Sequence, residues 1–220
     1  DESGLFQVHQ GLAATSSILD PVIGDVCDRV NMEWLLQKKQ PSVVFHAAAY
    51  KHVELMEKHP REAVSTNVGG TLVMAQAACQ AGVAKFVLIS TDKAVNPTSL
   101  MGATKRVAEQ VCVALNEEMK TQFVAVRFGN VLGSRGSVIP IFQEQIRRGG
   151  PVTVRGPEVR RYFMATSEAV LLVLQAGAIG KGGEVFILDM GDQVRIIDLA
   201  HELIRLSGFE ADRDIPIIFT

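Results

Sequence analysis

A cluster of side chains able to transfer protons lies within sixteen residues near the middle of the chain. Residues 90–93 read Ser-Thr-Asp-Lys, and residues 101–105 read Met-Gly-Ala-Thr-Lys. Hydroxyls, a carboxylate and two amines are therefore close together, and these are groups with which proteins protonate and deprotonate a reacting molecule. The cluster predicts acid–base chemistry on a bound small molecule.

The neighbouring sequence predicts a strand before the cluster and a helix within its second half. Residues 86–89 form a short apolar run of the kind found in buried parallel strands. After a turn at residues 96–99, residues 100–120 contain good helix formers. The cluster therefore lies at the carboxyl end of a predicted strand, where open α/β sheets bind their ligands.

Apolar runs alternate with helix-length segments along the chain. Runs at residues 41–45, 84–89 and 122–126 are separated by amphipathic segments at residues 28–39 and 62–81. This alternation predicts an α/β fold with a Rossmann-like, doubly wound parallel sheet. In the first of the amphipathic segments, Val30, Trp34 and Leu35 recur near helical spacing and indicate one apolar face.

The composition favours a globular domain and argues against two classes of partner. The chain has 220 residues, 47% of them hydrophobic, which is enough for one α/β domain with a small appendage. A net charge of −2 and a pI near 6.2 give no electrostatic reason to expect nucleic acid or a membrane surface. The longest apolar stretch, residues 169–179, is shorter than the roughly 20 residues that span a bilayer.

The cysteines and histidines indicate neither disulfides nor a metal site. Cys27, Cys79 and Cys112 are odd in number and far apart, which predicts reduced, buried thiols in a cytoplasmic protein. His46 and His52 have no Cys or carboxylate partner at ligand spacing, so we predict no metal.

Three motifs give the chain a resemblance to a known enzyme family. They are Thr-Asp-Lys at residues 91–93, RFGNVLGSRGS at residues 127–137 and RYFM at residues 161–164. In these motifs, and along nearly its whole length, the chain resembles the CapD-like polysaccharide biosynthesis proteins. This branch of the extended short-chain dehydrogenase/reductases comprises UDP-N-acetylglucosamine 4,6-dehydratases and their relatives.

The resemblance implies a reaction and the residues that perform it. A 4,6-dehydratase oxidises C4 of the sugar with a nicotinamide, removes the C5 proton, expels the C6 hydroxyl as water and returns the hydride to C6. By resemblance, Asp92 protonates the leaving hydroxyl and Lys93 takes the C5 proton. Lys105 would orient the nicotinamide ribose, while Ser90, Thr91 or Asp92 through water would assist the C4 hydroxyl.

Position 101 departs from the general pattern of the enzyme family, which has a tyrosine base there. Met101 cannot accept or give a proton at neutral pH, so the usual deprotonation of the hydroxyl is in doubt. Either the chain belongs to a Ser-Met-Lys branch of membrane-anchored dehydratases or its site is inactive. The complete Thr-Asp-Lys at residues 91–93 favours the first interpretation.

The resemblance also implies residues that bind NAD or NADP. Residues 1–3 are expected to end a strand, from which Asp1 would meet the adenosine ribose. Asp25 and Val26, at the end of a strand region, would bracket the adenine. Asn67 would steady the catalytic loop. Small residues would let the flat cofactor lie close to the backbone: Ala47, Ala48 and Ala49.

A further set of residues is implied in binding the UDP-sugar. Lys51 would contact part of the substrate. Asn130, Arg135 and Ser137 lie in a Gly-rich loop, where a flexible backbone and a planar cation suit a diphosphate. Arg161 would add a second phosphate contact.

The composition changes after residue 129, and shorter elements follow. We predict a partial dinucleotide-binding domain over residues 1–130 and, over residues 131–220, mainly a nucleotide-sugar lobe that is interleaved with the sheet. The predicted elements of this lobe are a helix at residues 139–148, strands near Val152 and Phe163, a helix from Ser167 and a helix at residues 196–206.

No G-x-G-x-x-G turn, the usual cradle for a pyrophosphate, occurs in the sequence. We therefore expect a portion of a longer protein that lacks its first β-α-β unit and binds NAD(P) weakly or not at all by itself. By resemblance we expect a homo-oligomer, and membrane contact only through a segment outside this chain.

Two alternative functions stay open. A nucleotide-sugar epimerase would use the same scaffold, but a simple 4-epimerase has no elimination step that needs the pair Asp92 and Lys93. A non-catalytic UDP-sugar-binding fragment is suggested by Met101, and it would bind UDP without changing the sugar.

Overall fold

The computed structural model describes residues 2–12, 19–134 and 136–220. Asp1 and Arg135, two of the predicted binding residues, lie outside the described residues. A π-helical segment (Ser65–Gly70) joins two of the helices, and a 3₁₀ turn (Asp92–Ala94) follows the second strand. The α-helices are α1 (Glu2–Leu12), α2 (Arg29–Lys39), α3 (Val53–Lys58), α4 (Pro60–Val64), α5 (Thr71–Gln80), α6 (Leu100–Glu118), α7 (Val138–Arg147), α8 (Thr166–Ile179) and α9 (Ile196–Leu206).

A parallel sheet of four strands, in the order β1-β2-β3-β8, lies at the centre of the fold. Its register aligns Val43 with Lys85, Lys85 with Gln122, and Ala125 with Val185. Three two-stranded pairs, β10 with β5, β4 with β7 and β6 with β9, lie outside this sheet. The strands are β1 (Val43–His46), β2 (Lys85–Ile89), β3 (Gln122–Arg127), β4 (Asn130–Val131), β5 (Val152–Val154), β6 (Arg160–Arg161), β7 (Phe163–Met164), β8 (Val185–Ile187), β9 (Val194–Arg195) and β10 (Ile217–Phe219).

Helices cover both faces of the sheet, because successive side chains of a strand point to opposite faces. Phe86 and Leu88 pack with residues of α2, α5 and α6 in one core. Val87 and Val124 pack with residues of α8 in a second core on the other face. Removing each such side chain from water contributes about 1.5–3 kcal/mol. The predicted doubly wound α/β fold is confirmed.

The C-terminal region contributes both to the sheet and to a separate core. Strand β8 completes the sheet and α8 covers one of its faces. Lys85 of β2 caps the C-terminal end of α8, because its Nζ donates to the carbonyls of Gly177 (2.6 Å) and Gly180 (2.7 Å). A third core, which includes Phe142, Val152 and Ile204, lies among α7, α9 and the pair β5 and β10.

The beginning of the chain differs from the sequence prediction. Residues 1–3 were expected to end a strand, but α1 starts at Glu2 and continues to Leu12 with no buried residue. Residues 19–24, expected to form a strand before Asp25, have no regular secondary structure. A strand needs a hydrogen-bonded neighbour, and no described strand pairs with either segment.

Helix α2 forms where predicted but buries a different face. Asp28 is its N-cap and accepts from the Asn31 backbone N–H. Met32 and Leu36 are buried, whereas Val30 and Trp34 are 79% and 54% exposed. Leu35 is partly buried against the same core as Met32 and Leu36, so the predicted apolar face is wrong for Val30 and Trp34 but not for Leu35.

The structure also bears on the cysteines and on membrane insertion. All three cysteines are free thiols, but only Cys112 is buried, so the prediction of buried thiols is wrong for Cys27 and Cys79. Among the helices that the structure describes, none is both long enough and apolar enough to cross a bilayer.

Candidate active site

A cleft of about 410 Å³ opens at the carboxyl ends of β1, β2 and β3. The residues that follow these strands form much of its wall, and the start of α6 and the loop before α7 form the rest. This is the edge at which open α/β sheets bind ligands. Ten of the predicted site residues line the cleft: Ala47, Ala49, Lys51, Ser90, Thr91, Lys93, Met101, Lys105, Asn130 and Ser137.

The Thr-Asp-Lys segment forms a hydrogen-bonded unit at the end of β2. Thr91 Oγ1 donates to Asp92 Oδ1 at 2.9 Å, and Lys93 Nζ lies 2.9 Å from the same oxygen. Lys93 Nζ also donates to Asn130 Oδ1 at 3.3 Å, which ties the unit to the segment after β3. The side chains of Asp92 and Lys93 are 18% and 28% exposed, so the acid and the amine are largely shielded from solvent.

Helix α6 begins directly beside this unit. Glu57 of α3 accepts from the Leu100 backbone N–H at 2.7 Å, and Ser99 Oγ accepts from the Gly102 N–H at 3.2 Å. These two bonds satisfy donors that a helix start otherwise leaves unpaired. A Cβ on Gly102 would lie 2.3 Å from the Lys93 carbonyl oxygen, so only glycine allows the helix this close to the turn Asp92–Ala94.

Met101 and Lys105 lie one helical turn apart on α6, and both line the cleft. Met101 is 4% and Lys105 6% exposed. Lys105 Nζ donates to the Ile89 carbonyl at 2.6 Å, which points the amine across the end of β2. Burial lowers the pKa of Lys105 to about 8, although Cys112 and Glu109 act in the opposite direction. A substantial fraction of neutral amine is therefore accessible near physiological pH.

A buried ionic network lies behind Ser90. Ser90 Oγ donates to Glu109 Oε1 at 2.5 Å. Arg127 holds the same carboxylate with two bonds, Nε to Oε1 at 2.8 Å and Nη2 to Oε2 at 2.6 Å. Arg106 adds a third contact at 3.2 Å. The network joins the end of β2 to α6 and β3.

The wall that follows β1 is held by Asn67 of the π-helical segment. Asn67 Oδ1 accepts from the Tyr50 backbone N–H at 2.7 Å, and its Nδ2 donates to the Tyr50 carbonyl and to Thr104 Oγ1, each at 3.0 Å. Asn67 is fully buried and does not line the cleft. It therefore positions the segment that contains Ala49 and Lys51, as π-helical segments do at many functional sites.

His46 has no metal-binding surroundings. Burial, with a further contribution from Lys105, lowers the pKa of His46 to about 4, and its Nε2 lies 3.1 Å from Thr71 Oγ1. Across the described ranges, no three side chains of His, Cys, Asp or Glu gather as a metal ion requires.

The Gly-rich loop after β3 supplies a further part of the cleft wall. A Cβ on Gly129 would lie 2.7 Å from Tyr162 Cβ, so glycine is required for this close approach. Ser137 precedes α7, and its Oγ is buried without a hydrogen-bond partner among the described residues. The first turn of α7 therefore presents backbone N–H groups and an unpaired hydroxyl next to the cleft.

The remaining predicted residues do not line the cleft. Asp25 accepts from the Cys27 backbone N–H at 2.9 Å and so closes its own turn. Val26 packs beside Gly70, where an added Cβ would lie 2.7 Å from its side chain. Arg161 Nη1 donates to the Arg160 carbonyl at 2.8 Å. Ala48 and Asp92 lie beside residues that line the cleft without lining it themselves.

A protein-family model matches the whole chain, including the residues of the cleft. The family described as "Polysaccharide biosynthesis protein" matches residues 1–220. The chain belongs to this family.

Two curated relatives indicate which proteins of this family the chain is similar to. The chain is 55% identical over 223 residues to the capsular polysaccharide biosynthesis protein CapD of Staphylococcus aureus, and the match covers 100% of the chain and 37% of that protein. It is 37% identical over 185 residues to the inverting UDP-N-acetylglucosamine 4,6-dehydratase of Campylobacter jejuni, covering 82% of the chain and 54% of the relative. The chain thus spans about a third to a half of their length.

Two solved structures share the fold. The protein Pen from Bacillus thuringiensis matches with a TM-score of 0.92 and 35% identity, covering 100% of the chain and 69% of Pen. The dTDP-glucose 4,6-dehydratase DesIV from Streptomyces venezuelae, solved with NAD and DAU bound, matches with a TM-score of 0.86 and 22% identity, covering 96% and 70%. Both matches include the parallel sheet and the helices around it.

In this family member, sequence reasoning missed Glu109, Arg127 and Glu57. Arg127 ends an otherwise apolar strand, and Glu109 lies one turn after Lys105 on the same helix. A charged residue at the end of a buried strand requires an opposite charge nearby. The position of Arg127 could therefore have indicated a buried carboxylate partner. No sequence pattern indicated Glu57, because its contact with Leu100 is set by the packing of α3 on α6.

Proposed function

We propose that the chain is the catalytic portion of a nucleotide-sugar 4,6-dehydratase that acts on UDP-N-acetylglucosamine or a close relative in surface-polysaccharide synthesis. The observation that carries the proposal is the contact of 2.9 Å between Lys93 Nζ and Asp92 Oδ1 at the edge of the cleft. An elimination needs a base for C5 and an acid for the C6 hydroxyl, and this contact supplies both groups within one unit.

The elimination uses Lys93 as a neutral amine and Asp92 as a neutral acid, a state that differs from the ion pair by one proton passed from Lys93 Nζ to Asp92 Oδ1. The proton of the C4 hydroxyl leaves through water when C4 is oxidised. Lys93 then takes the C5 proton, Asp92 delivers its proton to the departing hydroxyl as water leaves, and Lys93 returns a proton to C5 as hydride enters C6. One proton from water restores the ion pair. Asn130 holds Lys93 Nζ on the other side and keeps the amine directed toward the cleft.

The surroundings of Lys105 fit a nicotinamide ribose. The Lys105 amine and the small side chains of Ala47 and Ala49 line the same cleft, so a flat ring can approach the backbone beside a hydrogen-bond donor. NAD or NADP, when bound, would accept the hydride from C4 and return it to C6. DesIV, which shares the fold, was solved with NAD. Lys105 would hold the ribose, and Ser90 and Thr91 would hold the C4 hydroxyl.

The C-terminal lobe is proposed to hold the diphosphate and the nucleotide. The N–H groups at the start of α7, Ser137 Oγ and Asn130 face a region where negative charge is favourable. Lys51 lines the same cleft and would contact the sugar. Arg135 and Arg161 are proposed as additional phosphate contacts. Residues 1–130 would accordingly bind mainly the cofactor, and residues 131–220 mainly the substrate.

The test is mass spectrometry of UDP-N-acetylglucosamine incubated with NAD in heavy water. The chain is assayed alone and as part of the full-length gene product that contains it. Loss of one water, with deuterium incorporated from solvent, is expected for a 4,6-dehydratase. Unchanged mass with inversion at C4 would indicate the epimerase instead.

Met101 favours a second candidate, a UDP-sugar-binding module without turnover. Its thioether fills the cleft position at which the wider enzyme family, by resemblance, has a phenol that exchanges protons. Binding of UDP by the full-length protein, together with unchanged sugar mass and no deuterium exchange, would support this candidate and exclude the dehydratase.

A further inference from the structure

The carboxylate of Glu109 lies directly behind Ser90 and outside the cleft. Glu109 is 1% exposed, and both of its oxygens are engaged, Oε1 by Ser90 and Arg127 and Oε2 by Arg127 and Arg106. A carboxylate buried this deeply is stable only when its charge is matched and its oxygens are hydrogen-bonded. The two arginines provide that match.

Glu109 is ionised in this setting. Burial acts to raise the pKa of Glu109, but the hydrogen bonds from Arg127 and Ser90, with the charge of Arg127, outweigh it and bring the pKa below its ordinary value. An ionised carboxylate can only accept hydrogen bonds. Ser90 must therefore donate its hydroxyl proton in the hydrogen bond with Glu109.

The hydrogen bond to Glu109 determines whether Ser90 can act as a donor or as an acceptor towards the cleft. A serine hydroxyl has one donor and two acceptor sites, so the lone pairs of Ser90 Oγ are what remains for a ligand in the cleft. Ser90 lines that cleft, and the neighbouring Lys105 amine is bound to the Ile89 carbonyl at 2.6 Å. A sugar hydroxyl that meets Ser90 must be the donor.

We propose that Glu109 is a positioning residue that, with Arg127, holds Ser90 as a hydrogen-bond acceptor for the substrate hydroxyl to be oxidised. The inference rests on the proposed function. A hydroxyl that donates to Ser90 has its O–H bond directed at Ser90 Oγ, so its orientation is fixed before the reaction. Ser90 lines the same cleft as Met101, which has no hydroxyl to offer the substrate.

The ionisation of Glu109 can be tested without any enzymatic activity. Infrared spectra of the full-length protein, labelled with ¹³C-glutamate, are compared between wild type, Glu109→Gln and Ser90→Ala. We expect a carboxylate band near neutral pH that disappears in Glu109→Gln and shifts in Ser90→Ala. A protonated carboxyl band assigned to Glu109, or a band unmoved by Ser90→Ala, would overturn the inference.

The positioning role is tested with a double-mutant cycle in the dehydration assay. Glu109→Gln is expected to lower kcat about 10-fold or more with little change in KM, because the amide can donate to Ser90 and reverse its polarity. In the Ser90→Ala background the same substitution should have no further effect. An equal loss in both backgrounds would assign Glu109 a purely structural role.

Glu144→Gln is the matched control. Glu144 also forms two bonds with an arginine, Arg147 Nε at 2.8 Å and Nη2 at 2.7 Å, but it lies on the exposed part of α7. Its substitution should leave kcat unchanged. If wild type does not dehydrate the sugar, the proposed function fails, whereas the infrared comparison still decides the state of Glu109 and Ser90.

Discussion

At the scale of single residues, the site depends on how burial and close contacts set protonation. Asp92 and Lys93 share a contact of 2.9 Å and are largely shielded from solvent. Lys105 is more deeply buried and is bound to a neutral carbonyl instead of a carboxylate. The two lysines of the cluster therefore differ in their partners, a carboxylate for Lys93 and a backbone carbonyl for Lys105.

Replacing Lys93 with alanine should remove the base for C5. We expect dehydration and deuterium incorporation by the full-length protein to fall by about 10²–10⁴-fold. Lys181→Ala, an exposed lysine remote from the cleft, is the control and should retain wild-type rates. Normal deuterium incorporation by Lys93→Ala would show that another group removes the proton.

The depressed pKa of Lys105 predicts how stability depends on pH. Because the folded pKa is about 8 and the ordinary value is 10.5, the unfolded chain binds more protons between these values. The contribution of Lys105 to the free energy of unfolding should therefore rise by about 3 kcal/mol as pH increases from about 8 to about 10.5.

This pH effect is measured by urea unfolding of wild type and Lys105→Met across that range. The difference in stability between the two proteins should change with pH in the direction given. A difference that is independent of pH would mean that Lys105 titrates in the folded protein at its ordinary value.

At the scale of elements, the turn after β2 and the start of α6 form one packed unit. The turn Asp92–Ala94 follows β2, and α6 begins against it with Gly102 facing the Lys93 carbonyl. Glu57 and Ser99 satisfy the first N–H groups of the helix, which sets where it starts. Because Met101 and Lys105 lie in the first turns, any displacement of the helix moves both relative to the turn.

Gly102→Ala should separate these two elements. An added Cβ would lie 2.3 Å from a backbone oxygen, so the helix or the turn must shift. We expect a loss of about 1–3 kcal/mol in stability and at least a tenfold loss of dehydration rate. Both are measured, by urea unfolding and by the mass assay.

Gly69→Ala is the matched control for Gly102→Ala. Gly69 is also helical, but the nearest atom to its added Cβ is 3.9 Å away. Its replacement should be neutral or slightly stabilising. Equal effects of the two substitutions would contradict the close approach at Gly102.

At the scale of the whole molecule, the cleft lies between the ends of the sheet strands and the segment from Phe128 to Val138. His52, after β1, packs against Gly136, before α7, and an ion pair joins Glu54 to Arg155. Surface ion pairs contribute little by themselves, so the two parts can adjust when a ligand enters between them. A ligand that contacts both parts should stabilise them together.

UDP should therefore raise the stability of the folded protein. At a concentration about 100 times its Kd, the expected gain is about 2.7 kcal/mol, measured as a rise in the urea midpoint. Uridine, which lacks the diphosphate, should give little change. A similar gain from uridine and UDP would contradict a diphosphate site at the start of α7.

The sequence alone determined the features that depend on neighbouring residues. The apolar runs predicted β1, β2 and β3, the turn at residues 96–99 predicted the start of α6, and the polar cluster was expected at the end of β2. Strand and helix patterns are local, and the end of a parallel strand is a fixed place in such a fold. The position of the site followed from these facts.

Only the tertiary structure decided which distant residues meet. Met32 and Leu36 of α2 are buried because α5 packs on them, and Arg127 reaches Glu109 because β3 lies beside α6. Asp25 and Arg161, which were expected to bind ligands, are not among the residues that line the cleft, and their binding roles stay predictions. Contacts between segments far apart in the chain depend on how the elements pack, and no local pattern encodes that packing.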